Sequence, residues 1–170
     1  AEASGLYAAG SVFTKIAFWL PQFVPLVAFP ALTDPRRRQG AVRLGMVAVV
    51  GCGLVLVAAT ALFADLAVAI VAGAQYEALT PWVAWFTALG ALLAVAQLLV
   101  YAHLASGDRL TTAVVWAILA AYVAVVELTA SELTGVLAPA LSAAGLVVLW
   151  GLARERATSG RRALRPAPPS

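Results

Sequence analysis

The chain has 170 residues, 63% of them hydrophobic and only 11% charged, with a mean hydropathy of +0.94. A water-soluble domain with that balance could not cover its surface with polar groups, so the composition calls for lipid as the main solvent. The formal charge of +3 rests on basic residues scattered between apolar runs, without an interleaved aromatic and basic surface, which argues against nucleic acid as a partner.

Apolar runs fall at about 5–32, 44–72, 79–104, 110–130 and 134–153. Each holds the about 20 residues needed to cross about 30 Å of hydrocarbon. The expected fold class is an all-α integral membrane protein with about five transmembrane helices. In the first run, Pro21, Pro25 and Pro30 remove backbone donors and predict a kinked span over 5–32. The second run is too long for one perpendicular helix, and Asp65 divides it into a span at 44–64 and an interfacial continuation at 65–72. Spans at 79–104, 110–130 and 134–153 follow. Residues 154–170, with five arginines and three prolines, read as a basic disordered cytoplasmic tail.

Arginine gives an expected orientation. Arg36, Arg37, Arg38 and Arg43 flank the first break, Arg109 the third and five more the tail, while the second and fourth breaks carry Glu77 and Glu132. Positive-inside sorting then puts the N-terminus outside and the C-terminus in the cytoplasm. Ten arginines against one lysine suggest GC-rich coding and a bacterial plasma membrane. A start at Ala1 without a basic flank predicts an excerpt of a longer polypeptide.

Polar residues within the runs are the candidates for function. Lys15 lies ten positions past Gly5, roughly 15 Å along a helix, near mid-membrane, where a lysine costs about 2.5–3.5 kcal/mol on insertion scales. Ser4, Ser11, Lys15 and Gln22 project onto one helix face, with Tyr7 and Thr14 along its edge. A polar stripe on an apolar helix suits the wall of a water-filled cavity, with Lys15, Ser11, Gln22 and Tyr7 as its substrate-binding residues. The bland alternative is a structural lysine paired with carbonyls or an acid. Glu127, near the end of the fourth run, is a possible coupling acid, although an interfacial glutamate reads more simply. Thr80, Thr87, Gly90, Gln97 and Tyr101 trace a stripe in the third span that close helix packing explains as well as a substrate path. The single cysteine, Cys52, lies in an apolar run and reads as packing. No nucleophile and base pair, phosphate-binding glycine loop or metal cluster is legible, so no catalytic residue, cofactor or metal is expected.

The stretch GLYAAGSVFTKIAFWLPQFVPLVAFPALTD, from Gly5 to Asp34, resembles a segment of polysaccharide and lipid-linked oligosaccharide exporters that runs from Gly-Leu-Tyr through prolines to Phe-Pro-x-Leu-Ser/Thr. Here that end is Phe29, Pro30, Leu32 and Thr33. The stretch IVAGAQYEAL, from Ile70 to Leu79, is similar to their Phe-Gly-x-x-Tyr element, with Ala72 in place of the Phe. The stretch YAHLASGDR, from Tyr101 to Arg109, is similar to their short Ala-x-Gly-Arg turn.

These are flippases of the multidrug/oligosaccharidyl-lipid/polysaccharide (MOP) superfamily, and the resemblance covers about residues 4–130. It implies that the chain is the last five helices of a C-terminal lobe, with an N-terminal lobe of the same polypeptide as partner. It also implies a function without catalysis: moving an undecaprenyl-pyrophosphate-linked oligosaccharide to the outer leaflet, with membrane lipids around it and Lys15 facing the pyrophosphate. A peptidoglycan-precursor flippase or a cation-coupled drug exporter would share these features. A membrane-embedded glycan polymerase or ligase would need a large outer loop with catalytic Arg, His or Asp, and a structural membrane subunit would pack the Lys15 stripe against a partner helix.

Overall fold

A computed structural model describes residues 2–23, 38–104, 109–129 and 133–163. The described residues are helical almost throughout: α1 (Glu2–Trp19), a 3-10 turn (Leu20–Gln22), α2 (Arg38–Leu62), α3 (Ala64–Val71), a 3-10 segment (Ala74–Trp82), α4 (Val83–Leu104), α5 (Arg109–Thr129) and α6 (Leu133–Ala163). Four stretches are long and apolar enough to cross a membrane: Arg43–Leu62, Ala74–Tyr101, Leu110–Leu128 and Gly135–Arg154. They match the second to fifth expected spans. The first expected span is helical over 2–19, and its remainder beyond residue 23, together with Pro25, Pro30 and the DPRR loop, lies outside the described residues.

Helix boundaries follow local chemistry. Pro21 has no amide hydrogen to give, and the chain tightens there into the 3-10 turn while Trp19 and Phe23 keep right-handed helical angles. The first helix is thus modified at the proline, as the sequence predicts. The long second run breaks at Phe63 (φ −121°, ψ 39°), two residues before Asp65. Asp65 then stands exposed in the first turn of α3, where the amide dipoles favour a carboxylate. Gly73, at φ 96°, ends this excursion in a left-handed conformation that side chains resist.

One expectation is corrected. Residues 154–163, read as disordered tail, continue α6 as helix to Ala163, whereas 164–170 lie outside the described residues. Ala153, Arg154, Glu155, Arg156 and Ala157 are strong helix formers extending an established helix, so polarity alone does not end it. The first proline beyond is Pro166.

The third span is the centre of the bundle. Helix α4 packs against α1, α2 and α6, while α5 packs mainly on α6. Most side chains of α4 are apolar, as a helix with neighbours on several sides requires, with Thr87, Gln97 and Tyr101 among the polar exceptions. One cluster joins Phe13, Val68, Leu79, Val83, Phe86, Leu89, Leu137 and Ala144 around its first half. A second joins Val49, Ala94, Val95, Leu98 and Leu99 around its second half. Trp19, Phe23, Leu62, Ile70, Trp116, Leu128 and Leu149 are exposed on the outside, a surface that suits lipid and not water. In lipid, hydrocarbon attraction to a neighbouring helix is matched by attraction to solvent, so close fit and interhelical hydrogen bonds hold the bundle. Thr14 Oγ1 donates such a bond to the Phe86 carbonyl, at 2.9 Å, and Gly90 lets α4 approach the backbone of α1 beside it.

Candidate functional site

Helix α1 positions the candidate residues by the way it seats on α4. Gly10, Phe13 and Ala17 are buried in that seat. At 100° per residue, Lys15 then falls on the opposite side of the helix, and its side chain is exposed. Among the described residues no carboxylate pairs with it. Val12, Ile16 and Trp19 share the exposed side, so Lys15 is a cation on a largely apolar face.

The other members of the stripe take different places. Ser11, about halfway along α1, donates its hydroxyl back to the Ala8 carbonyl at 2.7 Å, a bond that satisfies its proton and leaves its lone pairs able to accept. Tyr7 lies at the edge, its ring against Phe86 with centroids 5.8 Å apart and an interplanar angle of 65°. Tyr7 therefore joins the edge of the candidate face to α4.

Gln22 leaves the stripe. A regular helix would align it with Lys15, but the turn at Pro21 changes its direction, and its amide Nε2 donates to Gln97 Oε1 of α4. Gln97 Nε2 in turn donates to Tyr101 Oη at 2.7 Å. The chain Gln22, Gln97 and Tyr101 ties the 3-10 turn to α4 and leaves Gln22 committed to a neighbour. Gln97 and Tyr101 were legible as polar positions in an apolar helix, but no sequence signal links Gln97 with a residue 75 positions away. This bonding and the contact at Gly90 support the packing explanation of the third-span stripe.

Replacing Gln97 with leucine is expected to lower stability by about 0.6–1.7 kcal/mol, the range measured for interhelical side-chain bonds in membranes. Unfolding of Gln97→Leu, Gln22→Leu and the double variant in detergent micelles checks it. The coupling between the two single changes must be nonzero.

Glu127 is exposed two residues before the end of α5. Among the described residues no contact joins it to Lys15. A cavity of about 610 Å³ lies elsewhere, between α5 and α6, with Ile118, Tyr122, Pro139 and Leu146 among its walls. Lys15, Ser11 and Gln22 are not in its lining. Among the described residues no group of three His, Cys, Asp or Glu side chains could hold a metal ion. The candidate site is thus one outward face of α1, with Lys15 and Ser11 on it and Tyr7 at its edge. No protein-family model, curated protein or solved structure matches the chain.

Proposed function

We propose that the chain is part of a membrane transporter that carries a lipid-linked oligosaccharide from the inner to the outer leaflet. The observation that carries this reading is Lys15: a cation on the side of α1 turned away from the bundle, unpaired among the described residues, at a depth where hydrocarbon would oppose it. A water-lined cavity completed by further helices, and an anion drawn into it, account for both its exposure and its charge. The resemblance of residues 4–130 to lipid-linked oligosaccharide exporters supplies the kind of anion, a polyprenyl pyrophosphate.

In this reading no covalent chemistry is needed. Lys15 offsets the cost of taking the pyrophosphate out of bulk water, the Tyr7 hydroxyl donates to the head, and the Ser11 lone pairs accept from sugar hydroxyls. Alternating access follows if the ligand binds the inward-open and outward-open states with different affinity. Glu127 is the candidate for proton coupling. The N-terminus lies outside the cell and the C-terminus in the cytoplasm of a bacterium.

Glycan export in cells tests it. Lys15→Arg is expected to keep most export because it keeps the charge, and Lys15→Ala to lower it at equal membrane abundance. Equal export by both variants and the parent would remove the anion-binding role and with it the reason for a transporter.

A further inference from the structure

We infer that Gln22 has two working positions, an inference that rests on the ligand-binding role of Lys15 proposed above. Without ligand it is tied to Gln97. When the turn at Pro21 relaxes, it swings to the Lys15 face, where its amide binds the sugar next to the pyrophosphate.

The tie is incomplete on one side and replaceable on the other. Gln22 Nε2 donates to Gln97 Oε1, but among the described residues the Gln22 carbonyl oxygen accepts no bond. Gln22 thus uses one of the roughly four hydrogen-bonding places of its amide. Gln97 is held independently, because its own Nε2 donates to Tyr101 Oη at 2.7 Å within α4. When Gln22 leaves, that bond stays, and Gln97 has one carbonyl oxygen to satisfy instead of a whole amide.

Backbone and space favour movement at this place and oppose it upstream. Before the turn, α1 is fixed: a Cβ at Gly10 would collide with Phe86, one at Gly90 with Thr14, and Thr14 bonds the Phe86 carbonyl. At Pro21 the helical ladder lacks a donor, and the chain tightens into the 3-10 turn. Beside that turn runs a narrow crevice of about 170 Å³ between Pro21, Gln22, Val49, Ala94, Gln97 and Leu98. Unfilled space offers no partner atoms to hold a turning side chain in place. The seat on α4 and the tie to Gln97 are therefore separable, and Pro21 is where they part.

The second position follows from helix geometry. In a regular helix, positions 15 and 22 fall within about 20° of each other and about 10 Å apart along the axis. A pyrophosphate held at Lys15 then brings its attached sugar toward position 22, where an amide offers donors and an acceptor to sugar hydroxyls. An interhelical side-chain bond in a membrane is worth only about a threefold to twentyfold preference, which a ligand favouring the released amide by more than that factor reverses.

Binding to the full-length polypeptide in nanodiscs tests this with two probes, a polyprenyl pyrophosphate carrying a disaccharide and the same pyrophosphate without sugar. Gln97→Leu frees Gln22 and is expected to tighten the glycosylated probe by about threefold to twentyfold. Gln22→Leu is expected to weaken it, and the double variant to match Gln22→Leu. Gln97→Met, which nearly keeps the side-chain volume, is expected to act as Gln97→Leu does. The unglycosylated probe should respond to none of them. A merely structural tie shifts both single variants in the same direction, and that result, or no shift, would overturn the inference.

A second measurement leaves both glutamines intact. Spin labels at the exposed positions 23 and 93 are expected to change separation when the glycosylated probe binds, while a pair at exposed 12 and 93 stays constant. A constant 23 to 93 separation would equally overturn it. Should Lys15→Ala weaken both probes while the glutamine variants do nothing, the transport reading stands and the two positions of Gln22 do not. Should Lys15→Ala leave both probes unaffected, the two fall together.

Discussion

Replacing Gly90 with leucine is expected to unseat α1 from α4, at a cost of about 3 kcal/mol or more, the upper part of the range for overpacking a close contact. A Cβ at this position would collide with the Thr14 backbone carbonyl and lie 2.9 Å from the Ala17 side chain. A flexible side-chain tip could move aside, but a carbonyl inside a helix cannot move without moving the helix. The displacement would also pull Thr14 away from the Phe86 carbonyl, 2.9 Å from its hydroxyl, so two contacts fail together. Gly90→Ala is expected to show a smaller loss of the same sign. Gly145, which has nothing within 4 Å of an added Cβ, is the control: Gly145→Ala is expected to be neutral or mildly stabilising because alanine favours helix by about 1 kcal/mol. Thermal unfolding of the three variants in one detergent checks the order. A Gly90→Leu protein as stable as the parent would show that α1 does not seat on α4 as described.

The second large effect is expected from Lys15→Glu. This change leaves the α1–α4 seat untouched, because position 15 lies on the far side of the helix and its side chain is exposed, so folding and membrane abundance should hold. Function should not. If Lys15 pairs with the pyrophosphate proposed above, losing one partner of that desolvated charge pair costs about 2–5 kcal/mol, and a carboxylate in its place adds repulsion. Glycan export is therefore expected to fall by roughly a hundredfold or more. If the lysine instead serves only to pair with an acid on a neighbouring helix, reversing that acid as well should restore export, and the pattern of rescue separates a ligand contact from a structural pair.

Much of the architecture is written in local patterns. Runs of apolar residues of bilayer length give the spans, Pro21 gives the altered turn in α1, and a carboxylate in a run too long for one span gives the break beside Phe63. These are short-range effects: backbone donors, transfer energies and helix dipoles act within a few residues. The relation between helices is another matter. Which side of α1 seats on α4 depends on glycine at position 10 meeting Phe86, and on glycine at position 90 meeting Thr14, contacts between segments far apart in sequence. Gln22 is the clearest instance. A helical projection aligns it with Lys15, but the geometry introduced by Pro21 turns it to Gln97, so three of the four proposed cavity residues stay on or beside one face and the fourth becomes a tie between helices. The cavity between α5 and α6 had no sequence signature because alanines that line a hollow and alanines that pack tightly look alike on paper. The helical continuation past Arg154 shows the converse, in which a polar, proline-ended composition suggests disorder while Arg154, Glu155, Arg156 and Ala157 favour a helix that carries on through Gly160.

The reliance of α1 on α4 also sets a schedule for biogenesis. The hydroxyl of Thr14 and its acceptor at Phe86 are separated by 72 residues, and ribosomes add about 5–20 residues per second. Thr14 is therefore made about 4–14 seconds before its acceptor. During that interval α1 exposes Gly10, Phe13 and Ala17, the residues that seat on α4, so a translocon or insertase must shelter it until α4 arrives, and slowing translation between the two would lengthen its exposure to quality-control proteases.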